Sequence, residues 1–277
     1  MLQFQLLPLW VPLYARSHMI EVAPDQVTPQ LHALFDPHMP AGFRCFAVIA
    51  GDTAGRILTD DPIRPTWGAV QEGAFGTVYP GGLLAASTWN RLIAKLREDG
   101  DVLVGLWPDD ERIQLLPSPP DYDGFTLDFT NRPIGAGLDA YVQQIPAGCT
   151  LRNLDSDLFE RSQDRDFYSL LYGSAGQALE KVQARFLMRG DEICCESFAY
   201  FAALGTIEIA TSAREAYRGR GYATITCAYL IQACEAHGYQ TYWNCAKQNL
   251  ASAAVARKLG YRTEKEYRLL AWFKRNQ

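Results

Sequence analysis

The sequence predicts a fold of the α/β class, more exactly α+β, built on a mixed, mostly antiparallel sheet with a smaller α+β lobe ahead of it. Three observations carry this. The second half orders its elements as strand, strand, strand, glycine-rich loop, helix, strand, helix, strand. The first three strands follow one another through tight turns, with Arg189-Gly190-Asp191 as hairpin chemistry, so they read as an antiparallel meander rather than βαβ units. The first half is broken by Gly51-Asp52, Asp60-Asp61-Pro62 and Pro80-Gly81-Gly82, which leaves room only for short elements.

The elements read in chain order as follows. Residues 44–50, 66–70, 77–79 and 101–107 read as strands. Residues 83–98 read as a helix with Leu84, Thr88, Leu92 and Leu96 on one stripe and Gly100 as the stop. Asp60 and Asp61, beside Pro62, read as a turn rather than a metal site. Pro117, Pro119, Pro120, Pro133 and Pro146 then interrupt the pattern, and a boundary is expected late in this stretch, giving an N-terminal lobe of residues 1–140 and a second domain of residues 141–277. Residues 156–171 read as helical. Strands are expected at 186–188, 193–200 and 206–210, a helix at 223–236 with Gly238 at its C-terminal stop, a strand at 240–245, a helix at 250–259 closed by Gly260, and a last strand at 269–273.

Bulk properties narrow the function classes. The chain has 277 residues, 48% hydrophobic and 21% charged, an ordinary globular balance large enough for two domains. A net charge of −5 argues against nucleic acid or an anionic membrane as a partner, so any anion site must be local. Residues 251–277 are locally basic, with Arg257, Lys258, Arg262 and Lys265 among them. No nucleic-acid recognition motif accompanies them, and a solvated edge is the simpler reading. The seven cysteines are odd in number and form no C-x-x-C pair, which fits reduced, partly buried thiols in a cytoplasmic protein. Four histidines without paired spacing offer no metal site. The apolar stretch 1–17 lacks a basic flank, carries Pro8 and Pro12 and is too short to span a bilayer, so it is expected to pack on the core.

One segment carries chemistry. A strand at 206–210 leads through a connector to Tyr217-Arg218-Gly219-Arg220-Gly221-Tyr222-Ala223, and a helix begins at once. The first N–H groups of that helix lack intrahelical partners and its dipole favours negative charge there. Gly219 and Gly221 let the backbone approach a ligand, and Arg218 and Arg220 can add charge-assisted hydrogen bonds. The arrangement suits a pyrophosphate. It is not a P-loop, since Gly-Lys-Ser/Thr is missing. It is not a Rossmann loop either, since the third glycine is missing.

The spacing instead resembles the GNAT acetyltransferase signature, Arg/Gln-x-x-Gly-x-Gly/Ala, matched by Arg218, Gly221 and Ala223. About 30 residues on, Asn249-Leu250-Ala251-Ser252 followed by Ala256 to Tyr261 is similar to that family's second helix. The resemblance covers about residues 186–273. It extends more weakly to a subgroup with a long, degenerate acetyltransferase-like N-terminal lobe.

The resemblance implies a GNAT acyl-CoA N-acyltransferase fold that uses acetyl-CoA as cosubstrate and acetylates a primary amine by direct transfer in a ternary complex, without a metal. The acceptor would be a small molecule or a peptide. A splayed pair of strands would hold the pantetheine arm, with Ala210, Thr211 and Ala213 beside the thioester. The amides of Arg218, Gly219, Arg220, Gly221, Tyr222 and Ala223 would take the pyrophosphate, helped by the Thr224 hydroxyl. Asn249 and Ser252 would face the coenzyme, although Asn249 is also a natural N-cap and Ser252 also suits a helix surface. Glu208 is the expected general base, with Glu196 second, although Glu208 also suits a cross-strand salt bridge. Trp243 and Cys245 read as core. Ala256 stands where many relatives carry a tyrosine that protonates the departing thiolate, which motivates an alternative: a non-catalytic acyl-CoA-binding protein. The oligomeric state is open, and a homodimer is compatible with the sequence.

Overall fold

The computed structural model describes residues 19–130, 132–135 and 137–275. The stretch 1–17, expected on the core, lies outside them. In chain order the elements are β1 (Ile20–Val22), α1 (Pro29–His32), α2 (Phe43–Ile49), β2 (Gly55–Thr59), β3 (Trp67–Glu72), β4 (Val78–Gly82), α3 (Ala86–Leu96), β5 (Val102–Leu106), β6 (Tyr122–Thr130), α4 (Asp139–Val142) and β7 (Cys149–Asn153). There follow α5 (Ser156–Arg161), α6 (Arg165–Tyr172), α7 (Ala175–Lys181), β8 (Gln183–Arg189), β9 (Glu192–Ala203), β10 (Thr206–Ala213), α8 (Tyr222–Ala236), β11 (Gln240–Ala246), α9 (Leu250–Lys258) and β12 (Thr263–Trp272).

The strands make two sheets. A four-stranded antiparallel sheet runs β1-β2-β3-β4, and an eight-stranded sheet runs β5-β12-β6-β11-β10-β9-β8-β7. Among the pairings within the larger sheet, β10 with β11 is parallel and the others are antiparallel. The expected mixed, mostly antiparallel fold is therefore present. The hairpin at Arg189-Gly190-Asp191 closes β8 onto β9.

The boundary placed near residue 140 does not separate the sheets. β5 and β6 come from before it, yet β6 lies between β11 and β12 in the larger sheet. Composition alone suggested a break there because prolines flank β6, including Pro117 to Pro120 and Pro133.

The run at 44–50 is a helix rather than the expected strand. Short apolar runs do not distinguish a buried strand from a buried helix by periodicity. Here every residue of α2, Arg44 included, is buried. Phe43 and Ala47 pack with Tyr200, Phe201 and Tyr242 of the larger sheet, while Cys45, Phe46, Val48 and Ile49 pack with Ile57, Val70 and Tyr79 of the smaller one. A helix wedged between two sheets is apolar on all sides, so it shows no polar stripe.

The larger sheet is covered on both faces near its middle. Leu127, Phe129, Ile207, Ile209, Trp243 and Cys245 meet α8 and α9 on one face. Phe198, Tyr200 and Tyr242 meet α2 and α6 on the other. All seven cysteines are buried and free, more deeply buried than the partly buried thiols expected.

Candidate active site

β10 and β11 pair over only three positions, Thr206↔Gln240, Ile207↔Thr241 and Glu208↔Tyr242. Beyond them β10 stays with β9 as far as Ala213, and β11 stays with β6 as far as Ala246. The two strands therefore diverge just past Glu208 and Tyr242, and the sheet opens as a wedge.

The wedge leads to a cavity of about 570 Å³ between the end of β10, the start of α8 and the start of α9. Its walls include Thr211 and Ala213 from β10, then Arg218, Gly219, Gly221, Tyr222, Ala223 and Thr224, then Asn249 and Ser252. Of the residues expected to bind a coenzyme, only Ala210 and Arg220 are not among its lining. Arg220 instead stacks its guanidinium on the Tyr217 ring, 5.5 Å from the centroid. Val255 and Lys258 also line the cavity, so Lys258, expected on a solvated basic edge, instead borders this site.

The loop geometry follows from its glycines. Gly219 has φ +73° and Gly221 φ +79°, a left-handed backbone that L-residues disfavour. A Cβ at either position would meet nothing within 4 Å, so the space above the loop is open. Gly221 is the N-cap of α8 and supplies no side-chain cap, which leaves the first N–H groups of the helix for another acceptor. Arg218 Nε donates to the Ala213 carbonyl (3.3 Å) and ties the loop to the end of β10. Behind the loop, Tyr217 and Tyr222 stack with centroids 6.0 Å apart, and the Tyr217 hydroxyl donates to Glu192 (2.6 Å).

On α9, Asn249 is the N-cap and its Oδ1 accepts from Ser252 N (3.1 Å). Ser252 Oγ accepts from Trp243 Nε1 (3.1 Å), fixing the indole beneath the wedge. Ala256 is fully buried in the core with Trp243 and Tyr261. The Tyr261 hydroxyl donates to Thr241 (2.8 Å), and burial pushes its pKa far above the ordinary tyrosine value, so it is a poor proton donor to sulfur.

Glu208 lies on the opposite face of the sheet, under α2. Its carboxylate takes Arg44 Nε (2.6 Å) and Nη2 (2.5 Å), the Tyr200 hydroxyl (2.9 Å) and Asn244 Nδ2 (3.1 Å). Both oxygens are thus committed, and accepting a substrate proton there requires breaking a buried bidentate pair. Burial opposes the Arg44 charge, but the Glu208 and Glu72 carboxylates more than reverse this and raise its pKa. Glu72 also accepts from Arg44 (3.4 Å), and its own pKa is raised, by burial first, with Arg44 pulling the other way. Glu196 is buried as well, accepting from the Ser162 hydroxyl and Gln163 N, and burial raises its pKa.

A second acid near the wedge escaped the sequence reading. Asp128 on β6 pairs directly with Asn244 on β11 and is only 5% exposed. Its Oδ1 accepts no hydrogen bond. Burial pushes its pKa up to about 6, against smaller downward pulls from Tyr242 and Lys265. The signal was present in Phe125-Thr126-Leu127-Asp128-Phe129-Thr130, which alternates apolar with polar residues at the period of a strand and puts one acid on the polar side.

A family model described as GNAT acetyltransferase matches residues 44–270. The chain belongs to the GNAT acetyltransferase family. The span runs from α2 into β12 and so takes in strands of both sheets, β1 excepted. A curated relative, the uncharacterized N-acetyltransferase YdfB of Bacillus subtilis, is 29% identical over 126 residues; the match spans 45% of this chain and 48% of that protein. Among solved structures, a GCN5-related N-acetyltransferase-like protein from Streptococcus suis superposes with a TM-score of 0.69 at 21% identity, covering 91% of this chain and 100% of that one. A tandem GNAT protein of the clavulanic acid pathway gives 0.59 at 12% identity, covering 94% and 99%. These structures share the fold. Among the described residues, no cluster of three or more His, Cys, Asp or Glu could hold a metal, and no helix is long and apolar enough to cross a membrane.

Proposed function

We propose that this acetyltransferase moves an acetyl group from acetyl-CoA to a primary amine of a small molecule or peptide, by direct transfer while both are bound, in the cytoplasm. The observation that carries the reading is the divergence of β10 from β11 immediately above the Gly219/Gly221 loop. The wedge is a slot for an extended arm, and the loop and helix start form an anion cradle at its mouth. The fit is specific: left-handed glycines with open space above them, uncapped N–H groups, and Arg218 and Lys258 along the wall.

In this reading the amides from Gly219 to Thr224 hold the pyrophosphate. Asn249 orients the start of α9, and Ser252 with Trp243 forms the floor under the arm. Backbone N–H groups on β10 past Glu208, at Ala210 to Ala213, polarise the thioester carbonyl. Acetyl-CoA supplies the activated acetyl. Glu208, clamped by Arg44, ties α2 to the strand at the mouth of the wedge.

Gly221→Glu tests the cradle. It forces a side chain at φ +79° and sets a carboxylate in the anion site. Calorimetric coenzyme A affinity should fall by about a hundredfold or more, as expected for losing charge-assisted contacts and gaining repulsion. Unchanged affinity refutes the assignment. A second reading, a coenzyme-binding protein without catalysis, is favoured by the buried Ala256. It predicts tight coenzyme binding with no thiol release from acetyl-CoA across a broad amine panel.

A further inference from the structure

A second cavity, of about 510 Å³, lies on the face of the sheet opposite α8 and α9. Asp128 and Tyr242 stand in its wall, with Phe43, Trp107 and Lys265 around them. Register places it relative to the wedge. Glu208 pairs with Tyr242, Asn244 pairs with Asp128, and Asp128 pairs with Lys265, so these side chains share one face in a row across β10, β11, β6 and β12. The Asn244 amide reaches Glu208 across the point where the wedge begins. Asp128 is therefore one strand from the gap, with its Cβ about 5 Å from that of Asn244.

Two polar groups in this wall face one another without a hydrogen bond of close geometry. Asp128 Oδ1 and the Tyr242 hydroxyl are both buried and both without a hydrogen bond. Such groups cost free energy unless a ligand or water completes them. Phe43 packs edge-on against the Tyr242 ring, 5.0 Å between centroids, and Trp107 packs edge-on against Tyr267 at 6.2 Å. An anion whose oxygen, beside a tyrosine hydroxyl and between aromatic rings, still has room for a donor is the complement of an alkylammonium. Glu208 cannot play this part without releasing Arg44.

Resting on the acetyl-transfer reading above, we propose that this cavity seats the acceptor's primary ammonium group, with Asp128 as its counter-ion and then its proton acceptor. One proton passes from nitrogen to the Asp128 carboxylate, freeing the nitrogen lone pair. The N–C bond forms as the C–S bond breaks, and the electron pair leaves on sulfur. The second proton on nitrogen passes to the departing sulfur, so no residue at position 256 is needed to protonate it. Asp128 then releases its proton to solvent as product leaves. The titratable and charged groups facing Asp128 are Tyr242 on β11, Lys265 and Tyr267 on β12, Glu208 on β10 and Arg44 on α2, with His38 also lining the cavity.

The test uses phenethylammonium and its neutral isostere 2-phenylethanol, titrated calorimetrically into the full chain with and without coenzyme A. The comparison is among wild type, Asp128→Asn and Asp123→Asn. Asp123 is exposed on the same strand and pairs with Arg268, so it serves as control. The amine should bind wild type and Asp123→Asn, the alcohol should not, and Asp128→Asn should lose about 10- to 100-fold, the range of a charge-assisted contact. Acidification from pH 7.5 to 5 should weaken amine binding to wild type and leave Asp128→Asn flat. Equal amine affinity in wild type and Asp128→Asn, or no amine binding to either, overturns the proposal. Loss of coenzyme A binding by wild type would instead strike the transfer reading, and the amine titration without coenzyme reads separately. If the wild type also acetylates phenethylamine, Asp128→Asn should lower kcat/KM by about 10²- to 10⁴-fold, as for removal of a general base.

Discussion

Replacing Asp128 by asparagine should make the protein more stable at neutral pH. The side chain is 5% exposed, and its pKa rises from 3.8 to about 6 on folding, with burial as the main cause. That is roughly two pKa units at about 1.36 kcal/mol each, so ionised Asp128 costs the native state about 3 kcal/mol at pH 7.5. The sign follows from proton binding. Between the two pKa values the folded chain holds more protons than the unfolded one, so stability falls as pH rises through that window and levels off above it. Asparagine does not titrate. Its gain should be about 3 kcal/mol at pH 7.5 and shrink to about 1 kcal/mol at pH 4.5, where native Asp128 is mostly protonated. Urea denaturation of both proteins at the two pH values measures this directly. A variant no more stable than wild type at pH 7.5, or a gain that persists undiminished at pH 4.5, refutes the reasoning. A confirmed gain alongside lost amine binding would identify an acid kept at the expense of stability.

Other perturbations probe the surroundings. Arg44→Met leaves the buried Glu208 and Glu72 carboxylates without their guanidinium and should cost about 3–5 kcal/mol by urea denaturation, while Arg44→Met with Glu208→Met should recover much of it. Ala256→Tyr should not restore a catalytic acid, because Ala256 is fully buried; overpacking should cost about 1–3 kcal/mol, seen as a lower urea midpoint with no gain in turnover.

What the sequence revealed and what it hid follow one physical line. The Gly219/Gly221 loop, the N-cap Asn249 and the glycine stops Gly238 and Gly260 are local: their conformations follow from φ preferences and capping, so they were legible in the sequence. The wall of the cavity beside α8 and α9 assembles from these local pieces. The Arg44–Glu208 pair joins residues from opposite halves of the chain and has no local signature, so Glu208 read equally as a base or a salt-bridge partner. The helix at Phe43–Ile49 was misread because burial on every side erased its polar stripe. Asp128 was passed over because prolines framed β6 as a linker, although its alternation was visible. Which of the two carboxylates, Asp128 or Glu208, Arg44 covers is a property of packing.

The placement of β6 also bears on how the chain is made. Its hydrogen-bonding partners on β11 lie on the order of a hundred residues downstream. At ribosomal rates of about 5–20 residues per second, β6 waits several seconds to tens of seconds for its neighbours to emerge. Until then its apolar face, with Leu127 and Phe129, and both unpaired backbone edges are open to other chains. A fragment cut at residue 140 inherits the mirror-image problem, since β11 and β12 lose the strand that joins them. Folding is therefore committed only once the C-terminal strands arrive, and the wedge between β10 and β11 cannot form before nearly the whole chain is present.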